Sequence, residues 1–122
     1  EEEFIFIDWR QNFGGNLEAG DMYYDLAKLR HNIIVNHNNI KNNLFNITDI
    51  EDKSCSLDIK SNYFLINQLD DFESFVREKN LNSKKIKILT SLIWINMAPL
   101  HDYPLSEFLF NFGKYNLFLT IN

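Results

Sequence analysis

Cysteine is almost absent from this sequence. Cys55 is the one cysteine among 122 residues, so an intramolecular disulfide is excluded. It lies in the polar stretch 52–56, with no second cysteine or nearby histidine at metal-ligand spacing. A lone cysteine in this setting predicts an incidental cytosolic thiol, not a zinc ligand or a disulfide framework.

Long hydrophobic runs are also missing. The most apolar stretch, residues 89–100, is interrupted by Thr90, Ser91 and Asn96, and it is shorter than the roughly 20 residues that cross a bilayer. No signal-peptide pattern is visible either. We therefore expect no membrane span and a cytoplasmic location. The chain begins Glu1-Glu2-Glu3 without an initiator Met, from which we expect further sequence upstream.

Positive charge is sparse as well. Twelve Lys and Arg stand against 17 Asp and Glu, a formal net charge of -5, which leaves no broad basic surface to neutralise a phosphate backbone and argues against a nucleic-acid partner. Apolar and aromatic residues, in contrast, are plentiful at 45% and 15%. This composition predicts one packed domain over residues 1–122.

Helical periodicity outnumbers strand signals, so the predicted fold is mainly α with a short N-terminal β element. The strand is Phe4–Ile7, which ends at polar Asp8, and the loop 9–20 after it holds three of the four glycines. Such a loop can bring backbone close to another group. The sequence thus divides into a strand-and-loop segment, 1–20, and a helical subdomain, 21–122.

The first helix is predicted to begin after Asp21, a good N-cap, and to run to about Val35. Its apolar stripe is expected to face the core and to contain Met22, Leu26, Leu29 and Ile33. Tyr23, Ala27 and Ile34 widen this stripe. Arg30 falls inside the widened arc. Its guanidinium must either extend to solvent, which we favour, or pair with an acid.

Beyond this helix we predict an Asn-rich loop over 36–43 and a small hairpin of 44–50 with 56–59. Three further helices follow at about 66–79, 83–97 and 104–120. The middle one carries apolar side chains on two sides and is expected to be central. The last is expected to be core along the stripe Leu105, Phe108, Phe112, Tyr115 and Leu119. Surface or loop positions are predicted for His31, His37 and His101.

Two motifs in order carry a family resemblance. Phe6-Ile7-Asp8-Trp9 is followed, twelve residues after its Asp, by a helix that opens Asp21-Met22-Tyr23-Tyr24-Asp25-Leu26-Ala27 after Gly20. This arrangement resembles a segment of aminoglycoside phosphotransferases and choline kinase-like enzymes, which have a protein-kinase-like fold. The stretch 96–101 resembles such proteins from bacterial surface-polysaccharide (capsule) loci. The resemblance implies the C-terminal helical subdomain of a kinase-like phosphotransferase.

The resemblance also implies residue roles. Asp8 would bind the Mg²⁺ that bridges the phosphates of ATP or another nucleoside triphosphate; alternatively, it only ends the strand and caps a turn. Asp25 lies beside the apolar stripe and is expected to be partly buried, and by the resemblance it would accept hydrogen bonds from catalytic-loop backbone. Alternatively, it is an exposed helix residue paired with Lys28 or its neighbours. Arg10 would contact phosphate or an acidic substrate, or be a solvated loop residue. Asp21 is expected to act as an N-cap only.

Several parts of such an enzyme cannot be found in this sequence. They are the catalytic-loop Asp, its metal-binding Asn and a nucleotide lobe with a Gly-rich loop. We therefore expect the chain alone to be inactive. The full protein would use a nucleotide and a small hydroxylated acceptor, such as a sugar, a choline-like alcohol or a polysaccharide precursor, and the fragment would self-associate through an uncovered apolar face. The alternative is a noncatalytic helical interaction module or a degenerate kinase-like remnant.

Overall fold

The computed structural model describes residues 12, 14–49 and 54–122. The described chain forms helices α1 (Met22–Ile34), α2 (His37–Lys41), α3 (Tyr63–Glu78), α4 (Ser83–Met97) and α5 (Leu105–Ile121), with an antiparallel hairpin of β1 (Phe45–Asp49) and β2 (Cys55–Ile59). The prediction of a mainly helical protein is confirmed, and the small β element of the described residues is this hairpin. The predicted strand Phe4–Ile7 lies outside the described residues.

Helix α1 has the limits that the sequence predicted. The Asp21 carboxylate accepts a hydrogen bond from the backbone N–H of Tyr23 at 2.9 Å, and the helix ends before Val35. Its predicted core stripe is confirmed for Leu26 and Ile33, which pack against a buried cluster of α3 and α4, and for Ala27, which is fully buried. It is wrong for Met22 and Leu29, which are each 52% exposed. Since α1 packs against both α3 and α4, the buried face is centred between these two neighbours.

Arg30 is paired, contrary to the favoured expectation that it extends to solvent. Its Nε lies 3.0 Å from Oε1 of Glu73 on α3, and the two side chains are only 13% and 22% exposed. A guanidinium that is largely removed from water requires a carboxylate partner. The partner is 43 residues away along the chain, so helical periodicity alone could not identify it.

The predicted loop 36–43 contains the short helix α2 instead. Asn36 and Asn39 cap each other, the side chain of each accepting from the backbone N–H of the other. This reciprocal capping satisfies amides that would otherwise remain free at a helix start. Buried Asn39 also donates to the carbonyl of Lys60 at 2.6 Å, which ties α2 to the end of the hairpin.

The hairpin itself is confirmed. Phe45 pairs with Ile59 and Ile47 with Leu57, and these four side chains lie on the face that packs against the main core. Alternation of half-buried and exposed residues along β2 follows from one face of a small sheet covering a helical core. The turn residues 50–53 lie outside the described part of the chain.

Helix α4 is the central helix, as predicted. It packs against α1, α3 and α5 and places Trp94 and Ile86 in the interior. Its approach to α5 is close at Gly113, where an added Cβ would lie 2.8 Å from the carbonyl oxygen of Ser91. The two polar residues that it buries are satisfied within the helix, because the hydroxyls of Thr90 and Ser91 donate to carbonyls one turn back.

Helix α5 contributes buried side chains to the core only from its first half. Leu105, Phe108 and Leu109 are buried against α4 and the hairpin, whereas Tyr115 and Leu119 are each 56% exposed. The prediction of a buried stripe along the whole helix is therefore wrong for its second half, because the main core extends along α5 only as far as Phe112. Among the described residues, no helix combines the length and apolarity needed to cross a membrane.

Candidate functional site

The start of α1 carries the described part of the sequence-predicted site. Asp8 and Arg10 lie outside the described residues, so their roles stay predictions. Asp21 and Asp25 are both described, the first as the N-cap of α1 and the second within its first turn. The structure therefore shows which contacts hold the motif 21–27 in place and which of its side chains are exposed.

The start of α1 contacts the start of α4 through polar side chains. Lys85 lies with its Nζ 3.5 Å from Asp21 Oδ2 and 4.3 Å from the centre of the Tyr23 ring. The backbone N–H of Asn82 donates to the Tyr23 hydroxyl at 3.2 Å. Asp21 thus pairs with a cation on another helix in addition to capping its own, which corrects the prediction that it is an N-cap only.

Asp25 lies on the outward face of α1. This outward face, as we define it, consists of exposed side chains at helical spacing: Met22, Asp25, Leu29 and Asn32. The predicted partial burial of Asp25 is wrong for this chain, because the buried face of α1 points to α3 and α4. No residue of the described ranges forms a hydrogen bond or ion pair with its carboxylate, so the alternative pairing with Lys28 is absent there too.

The outward face combines one carboxylate with two large apolar side chains. Met22 and Leu29 flank Asp25 along the helix, each about half exposed. A carboxylate can accept several backbone N–H hydrogen bonds. Covering the apolar side chains beside it removes their surface from water, which lowers the free energy. The face is therefore chemically suited to receive a polypeptide segment that brings free amide groups.

His31 is buried, contrary to the prediction of a surface or loop position. It is 4% exposed and meets Trp94 edge-on, with ring centres 6.3 Å apart. Burial lowers its pKa from 6.5 to about 4, and the positive charge of Lys28 contributes to the same shift. Its Nδ1 and the Nε1 of Trp94 lack hydrogen-bond partners within the described chain. His31 is thus a neutral core residue.

A second polar feature, which the sequence did not reveal, is a cleft between α1, α4 and α5. The cleft is open to solvent and has a volume of about 500 Å³. It is lined by Arg30 of α1, by Ser83, Lys84 and Lys87 of α4, and by Leu119 and Thr120 of α5, among others. The spacing of Lys84 and Lys87, one helical turn apart, is the one feature of the local sequence that points to this cleft. Their combination with α1 and α5 depends on tertiary packing.

Within residues 12, 14–49 and 54–122, no three His, Cys, Asp or Glu side chains are close enough together to hold a metal ion. Asp8 is not among the residues to which this observation applies. In comparisons with known proteins, no family model, no curated protein and no solved structure matches the chain. The functional argument therefore rests on the motifs and on the geometry of α1.

Proposed function

We propose that this chain is the C-terminal helical subdomain of a kinase-like phosphotransferase, which transfers phosphate from a nucleoside triphosphate to a small hydroxylated acceptor. The acceptor class would be a sugar, a choline-like alcohol or a polysaccharide precursor. In this proposal Asp8 holds the Mg²⁺ that bridges the nucleotide phosphates, and Arg10 contacts phosphate or an acidic substrate. A catalytic loop and a nucleotide lobe outside the chain complete the enzyme.

The observation that carries the proposal is the outward face of α1. Asp25 belongs to the motif that the family resemblance rests on, and its carboxylate is exposed between Met22 and Leu29. The proposed catalytic loop would cover this face and donate its backbone N–H groups to Asp25. Such bonds to a carboxylate are charge-assisted and stronger than those between neutral groups.

The anchoring of α1 supports the same role. A residue that positions a loop must itself be held, and the start of α1 is tied to α4 through Asp21, Tyr23 and Lys85. Asp25 lies in the same first turn of α1, two residues after Tyr23. In the proposed enzyme, α1 therefore acts as a rigid support, while Asp8 supplies the metal ligand.

The proposal is tested by Asp8→Asn in the full-length protein. The amide keeps the shape of the side chain but loses the charge that holds Mg²⁺, so we expect turnover on a panel of hydroxylated acceptors to be lost with folding nearly unchanged. We also expect the increase in Tm caused by Mg-nucleotide to shrink. Asp70→Asn, an exposed α3 residue, is the matched control and should behave like the parent.

Asp25→Asn gives a different expected result. In the isolated chain the exposed carboxylate has no described partner, so its replacement should change the free energy of unfolding by less than about 0.5 kcal/mol. In the full-length protein it should cost roughly 1 to 3 kcal/mol and lower turnover together with Tm, because loop N–H groups lose their charged acceptor. Full turnover by Asp8→Asn, or equal effects of Asp25→Asn in both proteins, would contradict the assigned roles.

The second candidate is a noncatalytic helical interaction module, and the exposed second half of α5 favours it. Tyr115, Phe118 and Leu119 each have more than half of their surface exposed, as expected for a face that binds another protein. The coding sequence before Glu1 discriminates the two candidates. A His-Gly-Asp sequence with a downstream Asn favours the enzyme, and the lack of both, with no turnover of any acceptor, favours the module.

A further inference from the structure

The cleft between α1, α4 and α5 has an excess of positive charge. Arg30, Lys84 and Lys87 line it, and Glu73 is the one carboxylate of the described chain that is paired with any of them, 3.0 Å from Arg30 and 4.0 Å from Lys87. Three positive side chains and one carboxylate leave a formal charge of +2. This local excess contrasts with the net charge of -5 of the whole chain.

The cleft also retains free hydrogen-bond donors. Arg30 uses Nε for Glu73, and its two terminal nitrogens have no partner within the described residues. Lys84 forms no ion pair there either, and the separation of 4.0 Å between Lys87 and Glu73 is too long for a hydrogen bond. These three side chains can donate to a bound anion without first breaking a short contact.

The first turn of α4 adds to the positive electrostatic potential of the cleft. Asn82 caps the backbone N–H of Lys85, whereas the N–H groups of Ser83 and Lys84 have no acceptor in the described part of the chain. Free amides at a helix start carry partial positive charge. The Ser83 hydroxyl, which also lines the cleft, is a further donor without a described partner. The first turn thus reinforces the attraction that the three cations create.

We infer that this cleft binds a phosphate monoester of a small polar molecule. The formal charge of +2 matches the charge of roughly -1.5 to -2 that a phosphate monoester carries near pH 7, whereas a single carboxylate would neutralise only half of it. A volume of about 500 Å³ exceeds what inorganic phosphate occupies and lies in the usual range for small-molecule sites. Leu119 and Thr120 of α5, which also line the cleft, would contact the organic part.

The inference is independent of the proposed phosphotransfer. It uses none of Asp8, Arg10 and Asp25, and Arg30 lies on a different face of α1 from Asp25. Its test therefore needs neither a nucleotide nor turnover, and failure of one proposal leaves the other standing.

The test is calorimetric titration of the 122-residue chain at low salt with glucose 6-phosphate, inorganic phosphate and glucose. We expect glucose 6-phosphate to bind, inorganic phosphate to bind at least about tenfold more weakly and glucose not to bind, because charged hydrogen bonds supply most of the affinity. Lys84→Gln with Lys87→Gln should raise the Kd for glucose 6-phosphate by about tenfold for each charge removed. Lys41→Gln, an exposed lysine of α2 that does not line the cleft, is the matched control and should leave the Kd unchanged.

Melting curves of the variants accompany the titrations. If the double variant is unfolded, Lys84→Gln alone provides the comparison, because Lys84 is exposed and unpaired within the described chain. An unchanged Kd in a folded variant would overturn the inference. Equal affinity for inorganic phosphate and glucose 6-phosphate, or for glucose and glucose 6-phosphate, would also overturn it, since the organic part or the charge would then contribute nothing.

Discussion

At the scale of the single residue, His31 makes the stability of the chain depend on pH. Its pKa is lowered to about 4 by burial and by Lys28, so the unfolded chain binds a proton first as the pH falls below 6.5. The free energy of unfolding should decrease by about 2 kcal/mol from this residue between pH 7.5 and pH 5. Urea unfolding across this range measures the decrease, and NMR titration of the imidazole measures the pKa directly.

The matched variants are His31→Gln and His37→Gln. The first removes the buried imidazole and should flatten the pH dependence above pH 5, whatever its effect on stability at pH 7.5. The second replaces an exposed histidine of α2 and should keep the slope of the parent. An imidazole of His31 that titrates near 6.5 would show that the folded state does not exclude its protonated form.

At the scale of the element, the contact between α4 and α5 depends on Gly113. A Cβ there would lie 2.8 Å from both the Ser91 carbonyl oxygen and Cγ1 of Ile95, and a backbone atom cannot move aside cheaply. Overpacking of roughly 1 to 3 kcal/mol should exceed the gain of about 1 kcal/mol in helix propensity. We therefore expect Gly113→Ala to lower the free energy of unfolding by up to about 2 kcal/mol.

Lys114→Ala is the control for this prediction, because its side chain is exposed on the same helix one residue further on. It should change the stability by less than about 0.5 kcal/mol. Chemical denaturation of the three proteins under one set of conditions makes the comparison. Stabilisation by Gly113→Ala would mean that helix propensity, and not the approach of the two helices, decides this position.

At the scale of the whole molecule, exposed apolar surface should drive self-association of the isolated chain. Tyr115, Phe118 and Leu119 lie on one face of α5 and are 56%, 59% and 56% exposed. Contiguous apolar surface of this kind favours association in water. Light scattering should therefore show a molar mass that rises with concentration, and Phe118→Gln should weaken that rise.

Phe64→Gln removes an equally large exposed side chain from α3 and should leave the association as it is in the parent. The substitution to Gln keeps the net charge constant, so changed repulsion between chains does not enter the comparison. A monodisperse monomer at high concentration, with no binding of a dye specific for apolar surface, would show that the exposed apolar face of α5 does not drive self-association.

Local features of the chain could be predicted because they depend on neighbours in sequence. The N-cap at Asp21, the limits of α4, and the pairing of two short β-prone runs across a charged turn all follow from interactions within a few residues. The reciprocal capping of Asn36 and Asn39 is equally local. It was missed because the high Asn content of residues 36–43 was interpreted as a loop. The motif that contains Asp25 was likewise visible in the sequence as the start of a helix.

The orientation of each helix was decided by tertiary packing. Apolar residues occur on more than one side of α1, so periodicity found Leu26, Ala27 and Ile33 as core residues but also placed half-exposed Met22 and Leu29 there and left His31 out. Packing of α1 against both α3 and α4 centred the buried face on Ala27 and His31, paired Arg30 with Glu73, and left Asp25 exposed. The cationic cleft arose in the same way, because its side chains come from three helices that only the folded chain brings together.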